Sequence, residues 1–520
     1  MNPTGANSTP VHQAGFWLPH QLRSAILEGA DFETFYLRRG EFLESGQSGS
    51  VAVGWPRLDN QRWQVLLEGL QKSRSCDTTR FLQRWQAALV GCQAQMSEKL
   101  VEFLPVLSAA TGYAPEMILR GFLSGNLSQV SSLASALDFR PTRAAAESWQ
   151  KLPGLPGRTR FFPASGLGKL SGRLRPRVPL YRPAQPVELA LGFAAGNVPG
   201  TGFLIALLGG LANAAHPGLP APALIVRNSR HEPLFFPWLL DLIEAFDPEL
   251  VAATAVLAWD YDDLALQRRL IGRAGLMVAA AGDDTIQALE DIRRVSAPTL
   301  RFHQHGHKVS FSAIGAETAS DMEVARLGAL DSSIWDQNGC LSARLHFVEG
   351  DALAYASHLV EAMQEATTEL PRGSLPRRFT HRAFDTFKNL ENTGKVKVFS
   401  RYGDDFAVIL DERPWEAITI RRAINACQGR TAVVRPVRSL NEVPDLLRLL
   451  PPDNLQTLGL SCAQERILPL ATSAGAAGIT AVRSLGRAAF PQLAYSWDGY
   501  LPLDAACLRP AGHWTGIEME

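Results

Sequence analysis

The chain has 520 residues, which is too many for a single hydrophobic core, so we expect two or three domains. Lys and Arg number 51, and so do Asp and Glu, and this balance argues against a nucleic-acid partner. The six cysteines form no CxxC pair, which argues against a zinc knuckle or a disulfide framework and is typical of the reducing cytoplasm.

The first part of the chain shows no evident chemistry. Residues 1–15 are polar and lack a basic segment ahead of an apolar stretch, so they predict a disordered lead-in and not a signal peptide. Residues 16–150 predict an N-terminal helical region, because 63–70, 81–89 and 100–107 carry apolar residues at helical spacing.

Two stretches follow in which composition decides between alternatives. Residues 151–181 are rich in Pro, Gly and Arg and predict a linker; the basic residues from 158 to 177 could attract an anion, but such runs are more often solvated surface. Residues 187–215 are apolar, yet six Gly, Asn and Pro residues interrupt them between positions 192 and 202. They therefore predict a buried strand, turn and helix, and we expect no membrane span and a cytoplasmic protein.

From residue 187 onward, predicted strands alternate with predicted helices. This pattern indicates a parallel, doubly wound sheet, whose ligands bind at the carboxyl ends of the strands. We assign residues 151–305 to a dinucleotide-binding domain. The predicted strands are 189–195, 223–226, 251–257 and 276–280, and the helices are 203–214, 234–246, 267–274 and 286–294.

A second α/β region follows, over residues 306–440, and a C-terminal segment covers 441–520. We expect residues 371–392 to be basic and irregular. The other predicted elements are a helix over 351–368, a strand or buried helix start over 345–348, a pair of strands within 396–410, and strands at 432–437, 458–460 and 479–482.

Cys340 directly follows Gly339 and precedes the apolar segment 345–348. At such a junction backbone N–H groups can lower the pKa of a thiol and make it a nucleophile. A lone cysteine is more often a small buried core residue, so this position alone does not decide between the two roles.

Two turns at strand ends carry polar side chains with two interpretations each. Asn197 is an ordinary turn residue, or an amide donor placed to stabilise an oxyanion. In the next turn Asn228 or Ser229 could cap a helix. Alternatively, Arg227 and Arg230 flank the ribose of a dinucleotide, where an arginine favours NADP over NAD.

A third turn, over residues 281–285, leads from a strand into a helix. The helix N-terminus beside Gly282 and Thr285 could hold a pyrophosphate. Asp283 and Asp284 would repel phosphate unless they turn away, so the motif is weak alone.

Three alternating histidines, His303, His305 and His307, could share one face of a strand. No carboxylate or cysteine lies nearby in the sequence to complete a ligand set, so we expect no metal site.

Four motifs, taken in order, give the chain a family resemblance. They are Gly-Asn-Val-Pro at 196–199, His-Gly-His-Lys-Val-Ser-Phe at 305–311, Asp-Gln-Asn-Gly-Cys at 336–340 and Trp-Asp-Gly-Tyr at 497–500. Together they resemble the aldehyde dehydrogenase superfamily, most closely its acyl-CoA reductase branch, the fatty acid reductases of bacterial bioluminescence operons. The resemblance runs from about residue 187 to the C-terminus. It implies a Rossmann-type cofactor domain, an α/β catalytic domain over 306–440, and a C-terminal return segment over 441–520 that pairs subunits.

The resemblance also implies residue roles. Cys340 would be the nucleophile, and Asn197 would form the oxyanion hole with the backbone N–H of Cys340. The residues along the cofactor would be Arg227, Ser229, Gly282 and Thr285. Arg230 joins this set only through the interpretation of its turn given above.

The sequence departs from the superfamily pattern in two places. Aldehyde-oxidising members carry a glutamate in a Glu-Leu-Gly-Gly-Lys stretch, where this chain has Gln304. Glutamine cannot act as a general base, so an acyl-enzyme should resist hydrolysis, as a thioester reductase requires. Asp283 replaces the serine that is usual in the phosphate turn.

The expected activity is the NADPH-dependent reduction of a long-chain fatty acyl thioester, carried by CoA or by a protein, to the fatty aldehyde through an acyl-cysteine. NADH is the alternative cofactor. The resemblance implies a homo-oligomer, with an acyl-protein synthetase and a thioesterase as partners. Two other functions stay open: a short-chain CoA-acylating aldehyde dehydrogenase that uses NAD, and a non-catalytic scaffold of the same fold.

Overall fold

The computed structural model of the protein describes residues 11–38, 41–43, 51–123, 126–137, 148–151, 157–163, 185–374, 378–492, 496–502 and 514–519. The strands are β1 (Val11–Ala14), β2 (Asp31–Arg38), β3 (Glu41–Leu43), β4 (Val51–Arg57), β5 (Arg158–Pro163), β6 (Leu189–Phe193), β7 (Ala223–Arg227), β8 (Thr254–Leu257), β9 (Leu276–Ala280), β10 (Arg301–His305), β11 (Val309–Ile314), β12 (Ala343–Glu349), β13 (Val396–Val398), β14 (Ala407–Asp411), β15 (Thr431–Val437), β16 (Leu455–Ser461), β17 (Ala481–Ser484) and β18 (Trp514–Met519).

The helices lie between these strands and cover the sheets. They are α1 (His20–Leu27), α2 (Asn60–Lys72), α3 (Phe81–Gly91), α4 (Gln93–Thr111), α5 (Pro115–Leu123), α6 (Leu133–Leu137), α7 (Thr201–Gly210), α8 (Phe235–Phe246), α9 (Pro248–Val251), α10 (Leu264–Arg273), α11 (Asp283–Ser296), α12 (Met322–Ser333), α13 (Ala352–Glu369), α14 (Arg378–Lys388), α15 (Ala417–Ala426), α16 (Val443–Leu447) and α17 (Gln464–Ala477).

The chain divides into two units. The first holds a four-stranded sheet in the order β1-β4-β2-β3 and a five-stranded sheet in the order β10-β9-β6-β7-β8; the second holds a nine-stranded sheet in the order β13-β14-β15-β12-β11-β16-β17-β18-β5. The first unit comprises residues 1–118, 184–304 and 373–375, and the second comprises 119–183, 305–372 and 376–520.

The five-stranded sheet confirms the predicted doubly wound architecture. β6 pairs in parallel with both β7 and β9, and β7 pairs in parallel with β8. Strands β6, β7 and β9 are buried along their whole length, as expected for a parallel sheet covered on both faces. The chain runs from β6 through β7 to β8 and then returns to β9 on the other side of β6. This reversal makes the crevice outside the carboxyl ends of β6 and β9 the expected ligand site.

The N-terminal region is mixed, so the prediction of a largely helical 16–150 was wrong for its first part. β2 and β4 pair antiparallel there, and Phe35 and Leu37 alternate with more exposed neighbours on β2. β1 pairs in parallel with β4 and lies inside the predicted disordered lead-in 1–15, of which residues 1–10 are outside the described part. The helical spacing that supported the prediction begins at residue 63, whereas the period of two in the buried residues of β2 is typical of a half-buried strand.

Two other boundaries differ from prediction. β5 pairs antiparallel with β18 in the second unit, so the described residues 158–163 lie outside the unit that holds the five-stranded sheet, although we assigned 151–305 to the dinucleotide-binding domain. Residues 164–184, with most of the basic run, lie outside the described residues.

Helix α14 lies inside 371–392, which we predicted to be irregular. Ala383 and Phe387, four residues apart, are buried on one of its faces. Among the described residues no helix is both long and apolar enough to cross a membrane.

The nine-stranded sheet positions Cys340. β11 lies between β12 and β16 and pairs in parallel with both, and Cys340 immediately precedes β12. Phe311, Phe347 and Leu458 are fully buried in the core of this sheet. The predicted strands at 345–348, 396–410, 432–437, 458–460 and 479–482 are confirmed, with small shifts at their ends.

Candidate active site

The segment before Cys340 has a strained backbone. Trp335, Asp336 and Gln337 have φ angles of 55°, 48° and 62°. The left-handed region costs a residue with a Cβ about 1–2 kcal/mol, and consecutive examples persist only where the surroundings fix them. Such strain clusters at functional sites, and here it occurs three residues before the predicted nucleophile.

Buried polar contacts hold this segment in place. Arg430 Nε donates to Asp336 Oδ1 at 2.8 Å, and both side chains are fully buried. The amide of Gln337 donates to the carbonyls of Ala343 at 2.8 Å and Thr431 at 2.6 Å, and it accepts from the N–H of Thr431 at 2.7 Å. The segment is therefore tied to both β12 and β15.

Burial outweighs the backbone in setting the acidity of the Cys340 thiol. Burial raises its pKa to about 11, and the Asp498 carboxylate raises it further, whereas the Gln456 side chain, the backbone N–H of Cys340 and the Lys308 charge act to lower it. The backbone N–H of Cys340 acts in the expected direction, but burial has the larger effect, so the free thiol is not acidic. Burial gives the partly exposed Cys462 a pKa of about 11 as well, so acidity does not distinguish Cys340. A nucleophilic Cys340 needs a nearby base.

The turn after β6 carries Asn197 in the first unit. Its side chain is exposed, and its carbonyl accepts a hydrogen bond of 2.5 Å from Tyr113 Oη. Gly196 is required because a Cβ there would lie 2.1 Å from Ser229 Oγ. The structure thus brings the predicted residues Asn197 and Ser229 together on adjacent turns. Cys340 lies in the second unit, so its partnership with Asn197 stays a prediction.

The helix cap in the turn after β7 was not predicted. Glu232, and neither Asn228 nor Ser229, accepts hydrogen bonds from the first N–H groups of α8, including that of Phe235 at 2.8 Å. Burial raises the pKa of Glu232 to about 7, against hydrogen bonds from α8 and from the N–H of Gly200. Glu232 therefore connects the turn after β6 to the turn after β7.

The two predicted arginines, Arg227 and Arg230, differ in burial and in their protein partners. Arg227 is buried, and it donates to the carbonyl of Trp259 from Nε at 3.1 Å and from Nη2 at 2.7 Å. Its guanidinium also lies 3.7 Å from the centre of the Tyr261 ring, and burial lowers its pKa. Arg230 is partly exposed and forms an ion pair with Asp260. Of the two, Arg230 is the better placed to meet a ligand.

The turn after β9 flanks the same crevice as the Asn197 turn, because β6 and β9 are neighbours. Gly282 directly precedes α11 and is exposed, and a Cβ there would meet no atom within 4 Å. Thr285 is partly exposed, whereas Asp283 and Asp284 are exposed in the first turn of α11. The backbone therefore leaves room for a ligand beside Gly282.

The histidine motif does not form a metal centre in the described part of the chain. His303 and His305 are buried and His307 is exposed. No cluster of three or more His, Cys, Asp or Glu residues is arranged to hold a metal among the described residues. Gln304 is exposed, and its amide lies 3.4 Å from a Glu290 carboxylate oxygen.

Sequence reasoning missed a buried pair beside Cys340. His305 Nδ1 lies 2.9 Å from Asp498 Oδ2, and the Trp497 ring stacks on His305 at 3.8 Å. Gln456 Nε2 donates to the other oxygen, Oδ1, at 2.6 Å. Motifs 305–311 and 497–500 were both noticed, but 193 residues separate the paired side chains, and no local pattern connects them.

Comparison with known proteins gives consistent matches. The sequence matches the model of the acyl-CoA reductase (LuxC) family over residues 170–508. The long-chain acyl-protein thioester reductase of Aliivibrio fischeri is 26% identical over 280 residues, which cover 52% of this chain and 53% of that protein. The chain thus spans about half the length of the curated relatives it matches.

Solved structures give the fold. Aldehyde dehydrogenase 21 from Physcomitrella patens has a TM-score of 0.59 and 11% identity, covering 98% of both chains. An NAD-dependent benzaldehyde dehydrogenase from Corynebacterium glutamicum has a TM-score of 0.56 and 10% identity, covering 94% of this chain and 95% of that one. These likenesses confirm the predicted aldehyde dehydrogenase fold and, at such low identity, nothing beyond the fold.

Proposed function

The chain belongs to the acyl-CoA reductase (LuxC) family, and on that premise we propose that it reduces a long-chain fatty acyl thioester to the fatty aldehyde through an acyl-cysteine on Cys340. The observation that carries this proposal is the position of Cys340, directly after a strained segment that Arg430 and Gln337 fix through buried contacts. Such strain around a core cysteine would have no structural purpose, whereas a nucleophile must be held in one geometry.

In the first step the Cys340 sulfur attacks the thioester carbonyl carbon. A carbon–sulfur bond to Cys340 forms and the carbonyl electrons move onto oxygen. When the oxyanion collapses, the bond to the donor's sulfur breaks, and the departing thiolate takes up the proton that Cys340 lost. The products are the acyl-cysteine and the free donor thiol, so no redox change occurs in this step.

Asn197 is proposed to stabilise the oxyanion. An amide N–H₂ donor with the backbone N–H of Cys340 would form a two-donor oxyanion hole. The Tyr113 bond to the Asn197 carbonyl and the contact of Gly196 with Ser229 support this role, because they fix the turn and leave the side chain exposed.

The acyl-cysteine should survive long enough to be reduced. The position that holds a hydrolytic glutamate in aldehyde-oxidising enzymes of this fold is Gln304 in our alignment. Its exposed amide faces Glu290 and cannot remove a proton from water. Water is therefore a poor competitor for the acyl group.

The first unit fits a nicotinamide dinucleotide. When bound, NADPH would supply the hydride that converts the acyl group to the aldehyde. The residues that would hold it are those at the β6–β9 crevice and the turn after β7: Ser229, Arg230, Gly282 and Thr285, with the buried Arg227 supporting the edge. The open space at Gly282 and the partial exposure of Arg230 support this fit.

Arg230→Glu is expected to lower the preference of the enzyme for NADPH over NADH. A guanidinium that binds the 2′-phosphate through charge-assisted hydrogen bonds contributes roughly 1.5–3 kcal/mol, or about 10- to 100-fold in affinity. The ratio of kcat/KM for NADPH to that for NADH should fall by this factor. Arg268→Glu, which changes an exposed arginine on α10, is the matched control and should leave the ratio unchanged. An unchanged ratio in Arg230→Glu would contradict the assignment.

The acyl donor is proposed to be a protein-bound thioester as well as acyl-CoA, because the matched relatives are named for acyl-protein substrates. An acyl-protein synthetase would then be the partner that supplies the acyl group, with a thioesterase in the same complex. Pairing of subunits through residues 441–520 remains a prediction.

The proposed function is tested by trapping the intermediate. Protein incubated with hexadecanoyl-CoA and no reductant should gain the mass of one hexadecanoyl group, located on Cys340 by peptide mapping. NADPH added afterwards should remove this mass and release hexadecanal in equal amount. Release of hexadecanoate without NADPH consumption would point to a hydrolase instead, and a protein that gains no acyl group would refute the reductase. NADPH binding without any acylation would favour the non-catalytic scaffold.

A further inference from the structure

A tight turn places Asp498 in the interior of the second unit. Asp498 and Gly499 have φ angles of 50° and 89°, and the N–H of Tyr500 donates to the carbonyl of Trp497 at 3.0 Å. Two successive left-handed residues are the signature of a type I′ turn, for which Asp-Gly is a favoured sequence. The Asp498 side chain is 2% exposed, so its carboxylate must be satisfied by protein groups.

Two donors satisfy the Asp498 carboxylate. Gln456 Nε2 donates to one oxygen and His305 Nδ1 contacts the other. Burial alone would raise the pKa of Asp498, but hydrogen bonds and charges from His305, Lys308 and Gln456 hold it below its usual value. The carboxylate is therefore ionised and can only accept, so Nδ1 of His305 carries a hydrogen. In neutral His305 this tautomer leaves a lone pair on Nε2.

That lone pair is buried. His305 is 4% exposed, and its Nε2 has no hydrogen-bond partner among the residues that the structure describes. An unpaired buried acceptor costs roughly 1–3 kcal/mol, so a purely structural histidine is not expected to keep one. The stacked Trp497 ring, inclined by only 15° to the imidazole, fixes the plane in which Nε2 points.

Cys340 belongs to the same network. The Gln456 side chain that donates to Asp498 also favours the Cys340 thiolate by a hydrogen bond, and the Asp498 charge acts on the thiol. Ser310 Oγ, five residues after His305, donates to the Cys340 carbonyl at 2.7 Å. The thiol thus shares Gln456 with a carboxylate–imidazole pair, and such a pair is the group with which a histidine activates a nucleophile.

We propose that His305 is the acid–base group of this site, which rests on the proposed function: its Nε2 takes the proton from the Cys340 sulfur as that sulfur attacks the acyl carbon, and returns it to the departing thiolate. The S–H bond of Cys340 breaks and an N–H bond forms, and the reverse transfer restores neutral His305. Asp498 and Gln456 are positioning residues, which fix the tautomer and the thiol. The charged and titratable groups that interact with Asp498, the partner of His305, include Lys308, Tyr500 and Cys340.

The test measures alkylation of Cys340 by iodoacetamide as a function of pH, with peptide mapping by mass spectrometry. In the wild type the neutral imidazole takes the thiol proton, so alkylation should be fast near neutral pH; this imidazole-dependent profile should lack a tenfold rise per pH unit above neutrality. His305→Asn keeps a donor for Asp498 but cannot accept the proton. Its rate should rise about tenfold per pH unit towards the thiol pKa of about 11 and should be at least about 10² lower than wild type near neutral pH.

Controls separate this role from a structural one. His307→Asn, which changes the exposed neighbour, should keep the wild-type profile, and the Cys462 peptide serves as an internal standard in every sample. Asp498→Asn suits the left-handed backbone at 498 and would donate to Nδ1, which moves the hydrogen to Nε2. It should reproduce the His305→Asn profile.

The outcomes are distinguishable. A wild-type pH profile in either His305→Asn or Asp498→Asn would overturn the role of His305, even if hexadecanoyl transfer to Cys340 succeeds. A wild-type protein with the imidazole-dependent profile that takes no acyl group from hexadecanoyl-CoA would refute the reductase but keep the acid–base pair.

Discussion

Cys340→Ala is expected to abolish NADPH oxidation with hexadecanoyl-CoA, with a loss of roughly 10⁴-fold or more in kcat, since removing a covalent nucleophile eliminates the pathway it carries. The acyl adduct should disappear in the same variant. Stopped-flow absorbance of NADPH and intact mass measurement follow the two effects separately.

The matched control for this loss is Cys462→Ala. Cys462 is also partly exposed, and burial raises its pKa to about 11 as it does for Cys340, so the two thiols differ in surroundings and not in acidity. Cys462→Ala should retain full activity, and NADPH binding should persist in both variants. Acyl transfer that survives in Cys340→Ala would place the nucleophile elsewhere.

The parts of the fold that could be predicted are those that local patterns determine. β9 was predicted at its observed bounds, because five buried apolar residues lie between clear turn signals. The same reasoning located β7 and β12, and it placed Asn197 and Gly282 in turns at the carboxyl ends of strands. The alternation of strands and helices predicted the parallel, doubly wound sheet, whereas the strand order and the pairing of β6 with β9 came from the structure.

The parts that could not be predicted depend on contacts distant in sequence. Trp335, Asp336 and Gln337 have left-handed backbone angles, which these residue types rarely adopt. Their buried hydrogen bonds to Arg430, just before β15, and to Thr431, in β15, explain this conformation. Likewise, the histidine motif gave no role to His305, because its partner Asp498 lies 193 residues further along the chain. The sequence also did not predict that burial raises the pKa of the Cys340 thiol, because desolvation depends on the packing of distant segments.

Arg430→Met is expected to lower the free energy of unfolding by about 3–5 kcal/mol, because it leaves the Asp336 carboxylate buried without a counter-charge. The two side chains are 0% and 1% exposed, so water cannot replace the lost partner. The strained segment that Asp336 anchors should relax, and transfer of the hexadecanoyl group to Cys340 should slow in parallel. Urea titration with pulse proteolysis gives the stability change.

Two comparisons decide whether charge is the cause. Arg326→Met removes an arginine from the half-exposed pair with Glu365, and it should cost no more than about 1 kcal/mol. The double variant Asp336→Asn with Arg430→Met removes both charges, and asparagine suits the left-handed backbone at 336, so it should recover most of the lost stability. If the double variant is as unstable as Arg430→Met, the arginine acts through its shape. In that case the segment before Cys340 requires the volume of the side chain at position 430 and does not depend on the charge at position 336.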